Sequence, residues 1–381
     1  MLLTRSALRG QEVPDYQYYD SVTYNLYLSG KWNELISLGQ DAIIKGIDYK
    51  YLRQRVGYAR FVKGEYQKAR KDFEKALSFD SYDQFTLEYL YYSYLNTGKE
   101  EYSGTIAKRL NPDLKNTLDI AAFKPVESIE LEYNFKYSGT SYRSNPQYYR
   151  LGFGTKLGYR LTLFQSVSDY KQVIELQQAG ANEIYSNRQT EYYSILKMLL
   201  GNKLIAETGY HFLYTRSGTS LLRGNLFLFA FAPDLKRFLL EFNGSVLNFG
   251  QERTIQTGLI AGYVFPGRSD FYFNSGVSGL FRSQTGNLIL SQKAGLRILK
   301  RIWLEGNTIF GRMTNYNDFN GLYIYNSIDP MRLKSGITTY IPLNRKITLW
   351  ANYSWERKDF YENNSFHYNQ FSYLGGIKWK L

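Results

Sequence analysis

The 381-residue sequence has no cysteine, only two histidines and only eight prolines. Without cysteine there is no disulfide framework, no thiol nucleophile and no thiolate-ligated metal. Two histidines leave little for a zinc site. No stretch reaches the roughly 18–20 consecutive apolar residues that a membrane-spanning helix needs, and the densest run, Leu226 to Phe231, is short. The G-x-x-x-x-G-K-[ST] loop, H-E-x-x-H and calcium-loop spacings are also missing. The sequence therefore predicts no enzyme, no metal and no cofactor.

What is abundant is aromatic. The chain holds 37 Tyr, 24 Phe, 5 Trp and 32 Gly, with 44% apolar and 21% charged residues, far from the composition of a disordered chain. Tyrosine suits places where one end of a side chain is apolar and the other wet, as on proteins built of many alternating strands. Without spanning helices, a membrane is crossed only by a closed barrel that pairs all its backbone groups internally. Residues 1–14 read as the remnant of a secretory signal or a leader, because Met1 to Gly10 has a short apolar start and two Arg but no full apolar core.

Three Gly-Lys or Gly-Glu turns, at Gly30, Gly64 and Gly98, are spaced 34 residues apart, the period of the tetratricopeptide repeat. The middle copy carries the repeat signature: Gly57 and Ala59, the turn at Gly64, then Tyr66, Ala69, Phe73 and Ala76. Small residues let two helices approach while Tyr66 and Phe73 fill the gap between them. The outer copies are degenerate, with Leu35 and Gly39, or Ser103 and Ala107, at the places of Ala69 and Phe73, and the third ends at Asn111-Pro112. Residues 15–115 are thus expected to form about six helices of an all-α solenoid whose concave face docks a partner protein. Its 15 Lys and Arg against 14 Asp and Glu give no polyanion-binding surface. Phe85, Tyr89 and Tyr92 share one helical face, and Leu87, Tyr91 and Tyr94 another, which reads as core or as a seal.

After a linker over 116–126 the period changes to two. Ile129, Leu131, Tyr133, Phe135 and Tyr137 alternate with Glu130, Glu132, Asn134 and Lys136, and such alternation recurs to the end. Short turns, near Gly158–Arg160, Gly201–Lys203, Ala232–Lys236, Pro266–Asp270, Leu299–Arg301 and Pro342–Lys346, alternate with polar and mostly longer connections at Ser138–Pro146, Glu175–Asn187, Arg216–Ser220, Thr314–Asp329 and Glu356–Phe366. That alternation fits an outer-membrane barrel over 127–381. About 14 strands are counted, with 12 as the alternative because the Gly158 turn and Leu322–Ile328 read either way. The fold class is α+β: a helical solenoid of about three repeats followed by an antiparallel transmembrane β-barrel. An even strand count puts both barrel ends, and the helices, in the periplasm. The last strand places Phe371, Tyr373, Ile377, Trp379 and Leu381 outward, and Gly376 to Leu381 resembles the closing-strand signal of outer-membrane barrels.

The combination of the 34-residue helical repeat with a C-terminal barrel resembles the YaiO-type outer-membrane proteins, in a Bacteroidota-like form, and on a larger scale the PgaA-type polysaccharide exporters. The resemblance implies an outer-membrane subunit of an export or assembly complex for surface polysaccharide or protein. Its partners would be outer-membrane lipid and a periplasmic or outer-membrane protein. The alternative is a stand-alone channel or barrel enzyme with the helices as plug or spacer.

Residues 116–381 hold 30 Lys and Arg against 19 Asp and Glu, a net +11 of the total +13. Lys203, Lys236, Arg237, Arg268, Lys300, Arg301, Arg345 and Lys346 lie in or beside the short turns, placed to meet anionic headgroups. Arg150, Lys156, Lys293, Arg297, Arg332 and Lys334 are expected in the lumen with Glu130, Glu132, Glu207, Glu241, Glu305 and Glu356. Mixed signs favour an internal salt-bridge network over a pore for an anionic polymer cargo. His211 shares a strand face with Glu207, which is read as a lumen hydrogen bond rather than a catalytic pair. With the basic charge in the barrel rather than on a reading helix, no nucleic-acid partner is expected.

Overall fold

The computed structural model describes residues 16–381 except 179–180, 202, 236, 266–269, 284, 300–301 and 362–364, and the side chains of 177–178 and 181–182. The expected leader and the turn cations Lys236, Arg268, Lys300 and Arg301 lie outside the described residues. The chain divides into two compact units, Met1–Ile120 and Ala121–Leu381.

The first unit contains α1 (Tyr16–Leu28), α2 (Trp32–Ile44), α3 (Lys50–Val62), α4 (Tyr66–Phe79), α5 (Gln84–Leu95), α6 (Glu100–Ala107) and α7 (Pro112–Thr117). The 34-residue period has one physical cause. α1, α3 and α5 each end at a glycine with positive φ (67°, 77° and 69° at Gly30, Gly64 and Gly98). In each case the glycine N–H and the next N–H bond back to the carbonyls three and five residues earlier, for instance Gly64 to Phe61 and Glu65 to Arg60. This is the Schellman ending, which satisfies orphan carbonyls and sends the chain back as a second helix. Between α3 and α4, Ala59, Ala69, Phe73 and Ala76 are fully buried. A Cβ on Gly57 would sit 2.9 Å from Phe73 Cε1, so only glycine admits that ring. Tyr66 opens α4 and packs on Phe61.

The repeat pattern predicts that the helices end at Asn111-Pro112; the structure starts a seventh there. Asn111 caps it, accepting from the Leu114 N–H at 2.8 Å, and Pro112 occupies the first turn, where its missing N–H costs nothing. Helix thus runs to Thr117 and strand begins at Lys124, narrowing the expected linker.

The second unit is built of β1 (Lys124–Ser138), β2 (Gln147–Gly158), β3 (Leu161–Gln178), β4 (Ala181–Leu200), β5 (Leu204–Ser217), β6 (Ser220–Pro233), β7 (Phe238–Phe249), β8 (Glu252–Val264), β9 (Tyr272–Arg282), β10 (Thr285–Ile298), β11 (Ile302–Met313), β12 (Tyr316–Asp318), β13 (Tyr323–Tyr325), β14 (Met331–Pro342), β15 (Ile347–Asp359) and β16 (His367–Lys380). All but β12 and β13 form one closed antiparallel barrel, in which β1 pairs with both β2 and β16. Closure leaves no unpaired edge. The wall has 14 strands, so the alternative of 12 falls. The Gly158 turn joins two wall strands, whereas Leu322–Ile328 contributes to none.

The period-two alternation is literal. On β6, Leu226, Leu228 and Ala230 are buried inside while Phe227, Phe229 and Phe231 are 58%, 53% and 40% exposed outside. The outward set on other strands includes Leu131, Phe153, Val167, Phe242, Leu259, Leu288, Phe310 and Ile337. Phe371, Tyr373, Ile377, Trp379 and Leu381 belong to it; Gly376 faces the other way, beneath the Trp350 indole.

Among the described residues, the strand ends joined by the short turns lie at the barrel end where β1 starts and β16 finishes, and those joined by the other connections at the opposite, loop end. Two of the latter differ from expectation. Glu175–Asn187 is a ladder rather than a loop, with Glu175 opposite Ile184, because Val173, Ile174 and Ile184 sustain the pleat through polar neighbours. Arg216–Ser220 closes with a two-residue turn, Gly218 taking φ 58°.

Candidate functional site

The longest loop-end connection, Thr314–Pro330, folds into the barrel. A bulge between Phe310 and Met313 and a left-handed residue, Asn315 (φ 57°), turn the chain inward. β12 and β13 then pair as a small hairpin, Tyr316 opposite Tyr325 and Asp318 opposite Tyr323. Its tip is an Asn320-Gly321 turn with φ of 50° and 80°, closed by the Leu322 N–H on the Phe319 carbonyl at 3.2 Å. Asn-Gly is the pair that such a turn favours.

Apolar contacts seat both faces of the hairpin. Ile324 and Leu322 pack with Tyr193, Leu213, Leu226, Leu228 and Leu247 from β4–β7. On the other side Met313, Tyr316 and Tyr325 pack with Leu280, Ile289, Ile309 and Met331. Polar contacts then fix it in register. Tyr193 Oη donates to the Asn320 carbonyl at 2.8 Å, and His211 Nδ1 meets the Gly321 carbonyl at 2.6 Å. Asn317 donates its backbone N–H to Gln256 Oε1 at 3.0 Å and accepts from Gln256 Nε2 at its carbonyl, also at 3.0 Å. Tyr323 Oη donates to Glu132 at 2.8 Å, and Asn326 Nδ2 to Gln189 at 2.7 Å. At the base, Asp329 is held by Arg143 through two bonds of 2.7 and 3.0 Å and by Tyr368 Oη at 2.9 Å, all buried. The hairpin therefore bridges opposite walls of the lumen.

The expected lumen charges are held in several local groups. Arg150 binds Glu132 at 2.9 Å and Glu130 at 3.4 Å, with Lys378 on Glu130 at 3.1 Å. Lys293 binds Glu305 at 3.2 Å, Arg297 binds Asp270 at 2.6 Å, and Arg332 binds Asp359 at 2.5 Å. Glu241 accepts from Asn243 at 3.2 Å, Lys156 lies 5.8 Å from the Tyr159 ring, and Lys334 donates to Tyr325 Oη at 2.8 Å. Glu207 is not the partner of His211. It accepts from Asn320 Nδ2 at 2.7 Å and pairs with Lys197 at 3.2 Å, whereas His211 Nε2 faces Glu191 at 3.2 Å from the neighbouring strand. Both ring nitrogens of the fully buried His211 thus face oxygens, one in the wall and one in the hairpin.

Not apparent from the sequence are the hairpin, the roles of Arg143, Asp329 and Glu191, and the Lys136–Glu356 pair (2.7 Å). The available signal was Tyr-Asn-Asp-Phe-Asn-Gly-Leu-Tyr-Ile-Tyr, residues 316–325, a hairpin pattern too short to cross a membrane.

A second candidate surface lies in the helical unit. Tyr27, Trp32, Tyr58, Phe61, Phe85, Tyr89 and Tyr92 form a continuous half-buried ladder over α1–α3 and α5, with Tyr58 5.3 Å from Tyr27 and 5.0 Å from Tyr89. The two faces read from the α5 sequence are divided differently: Leu87 and Leu90 go to the core while Phe85, Tyr89 and Tyr92 join the ladder. Burial pushes the Tyr89 phenol up, helped by Tyr58, and burial also raises the neighbouring Glu88 carboxyl.

A scan against protein-family models and a search of curated proteins found no match. Among solved structures 254 chains are similar. A bacterial polysaccharide outer membrane secretin is 9% identical, over 68% of this chain and 99% of that one, with TM-score 0.43. The outer membrane protein Omp33 of Acinetobacter baumannii is 10% identical over 68% and 99%, with TM-score 0.38. The TodX monoaromatic hydrocarbon channel, in a deltaS2S3 mutant, is 7% identical over 69% and 91%, with TM-score 0.46.

Proposed function

We propose that the chain is an integral outer-membrane protein that anchors a tetratricopeptide-like adaptor on the periplasmic side, as a subunit of an envelope export or assembly complex. The outward belt supports membrane insertion: aromatic and aliphatic side chains stay exposed around the closed wall, far beyond the few hundred Å² of contiguous apolar patch usual on a soluble monomer. The hairpin carries the choice of anchor over conduit. It is seated by two apolar clusters and a buried ion pair, so a polymer passes only after that core is dismantled. It also weighs against the helices as plug, since the barrel supplies its own.

The aromatic ladder supports partner docking, because large rings that lose little rotamer entropy dominate protein interfaces. His211 has a structural task at the hairpin tip, and we propose no catalytic role for it.

Planar-bilayer recording tests the reading. The intact protein is expected to give no large, steady conductance, and the chain lacking residues 315–328 to give open steps. Large steady steps from the intact protein would favour the channel. Tyr58→Ala with Tyr89→Ala should lose proteins that co-purify from native membranes while the barrel stays folded.

A further inference from the structure

On the outer face at the loop end, three adjacent strands set cations directly opposite one another: Lys171 on β3 pairs with Arg188 on β4, and Arg188 with Arg216 on β5. Arg223 on β6 lies on the diagonal, opposite Tyr214 and two residues from the partner of Arg216. All four are exposed. Directly opposed side chains sit about 5 Å apart at Cβ, and like charges so placed destabilise a sheet. Asp169, bonded to Arg188 Nε at 3.0 Å and to Thr190 Oγ1 at 3.2 Å, is the carboxylate that answers them among the described residues. One carboxylate leaves the row strongly positive.

The row sits at the rim of the apolar belt. Two pleats toward the short-turn end, the same outer faces carry Val167, Tyr192, Phe212 and Phe227. A furrow of about 920 Å³ leads from Arg188 and Thr190 down over Val167, Tyr149 and Leu131 to Ile377. Cationic head and apolar track are thus continuous.

We infer that Lys171, Arg188, Arg216 and Arg223 bind the phosphate groups of an acylated phosphoglycolipid in the leaflet at the loop end, with an acyl chain in the furrow. This rests on the membrane reading above. Arginine matches phosphate oxygens through paired N–H donors, and a phosphate between opposed cations removes their repulsion. An amphiphile satisfies both halves of the surface, whereas free phosphate answers only one.

The test uses the full chain in dodecyl maltoside micelles, with unfolding followed by tryptophan fluorescence as bisphosphorylated lipid A is added. The intact protein should be stabilised by it, and much less by the dephosphorylated glycolipid or by inorganic phosphate. For Arg188→Gln with Arg216→Gln, the concentration giving half the effect should rise at least about tenfold, as expected for losing charge-assisted bonds. Arg188→Lys with Arg216→Lys should recover part of the response, and Lys31→Gln with Lys75→Gln, both exposed in the helical unit, should leave it unchanged. If the Gln pair does not refold, Arg223→Gln alone provides the comparison, with a smaller shift in the same direction. Equal midpoints for intact and substituted protein would overturn the site, and full stabilisation by inorganic phosphate would overturn the lipid as its occupant. A chain that stays in plain buffer and enters no micelle would instead overturn the membrane reading, and this site with it.

Discussion

Replacing Asp329 by Ala should release the hairpin without unfolding the wall. The carboxylate takes two bonds from Arg143, one from Tyr368 Oη and one from the Tyr361 N–H at 3.0 Å. The two charged side chains are 1% and 3% exposed, so the value of about 0–1 kcal/mol for a surface pair does not apply. Removing one partner of a buried pair costs about 3–5 kcal/mol, because the other charge is left uncompensated. If that cost falls on the seated hairpin, its open population rises roughly 10²- to 10⁴-fold. Hydrogen exchange reads this directly at the Asn317 amide, which donates to Gln256 inside the lumen. Protection there should drop by that factor while wall amides such as that of Leu226 keep theirs. Arg143→Leu together with Asp329→Leu removes both charges and should restore much of the protection. Unchanged exchange at Asn317 would mean that the ion pair does not hold the hairpin, and a parallel loss along the wall would mean that it holds the whole barrel.

Gly321→Val should unseat the hairpin tip from the other side: a Cβ there lies 2.3 Å from Leu228 Cδ2 at φ 80°, with strain and overpacking of about 1–3 kcal/mol each. Bilayer recordings should show open steps like those of the hairpin deletion, and a silent record would count against the seat. Gly57→Ala crowds Phe73 and should cost the helical unit about 1–3 kcal/mol. Its helical melting should move down in temperature, while the heat-dependent gel mobility of the barrel stays the same.

The repeat was legible because its cause is local: a positive-φ glycine every 34 residues ends a helix whatever surrounds it. The wall was legible for a similar reason, since each pleat turns composition into inside and outside, as at Leu226 and Phe227. What escaped was decided by distance. Nothing near Asp329 in the sequence points to Arg143, 186 residues away, and the partner of His211 is set by strand register, which brings Glu191 rather than Glu207 to its ring. Two-sided apolar packing hid the hairpin, because Leu226, Leu228 and Leu247 face inward and match it instead of water. The Asn111-Pro112 step misled for a different reason: a residue before proline ends one helix as readily as it caps the next.

On the membrane reading, the exposed side chains of the closed wall meet hydrocarbon. A single-tryptophan chain carrying Phe227→Trp, with the five native tryptophans replaced by Phe, can be refolded into vesicles with and without brominated acyl chains. Strong quenching is expected at position 227, and none in a companion chain that keeps only Trp32 of the helical unit. Unquenched emission at 227 from a folded barrel that stays dispersed in buffer beside the vesicles would contradict it.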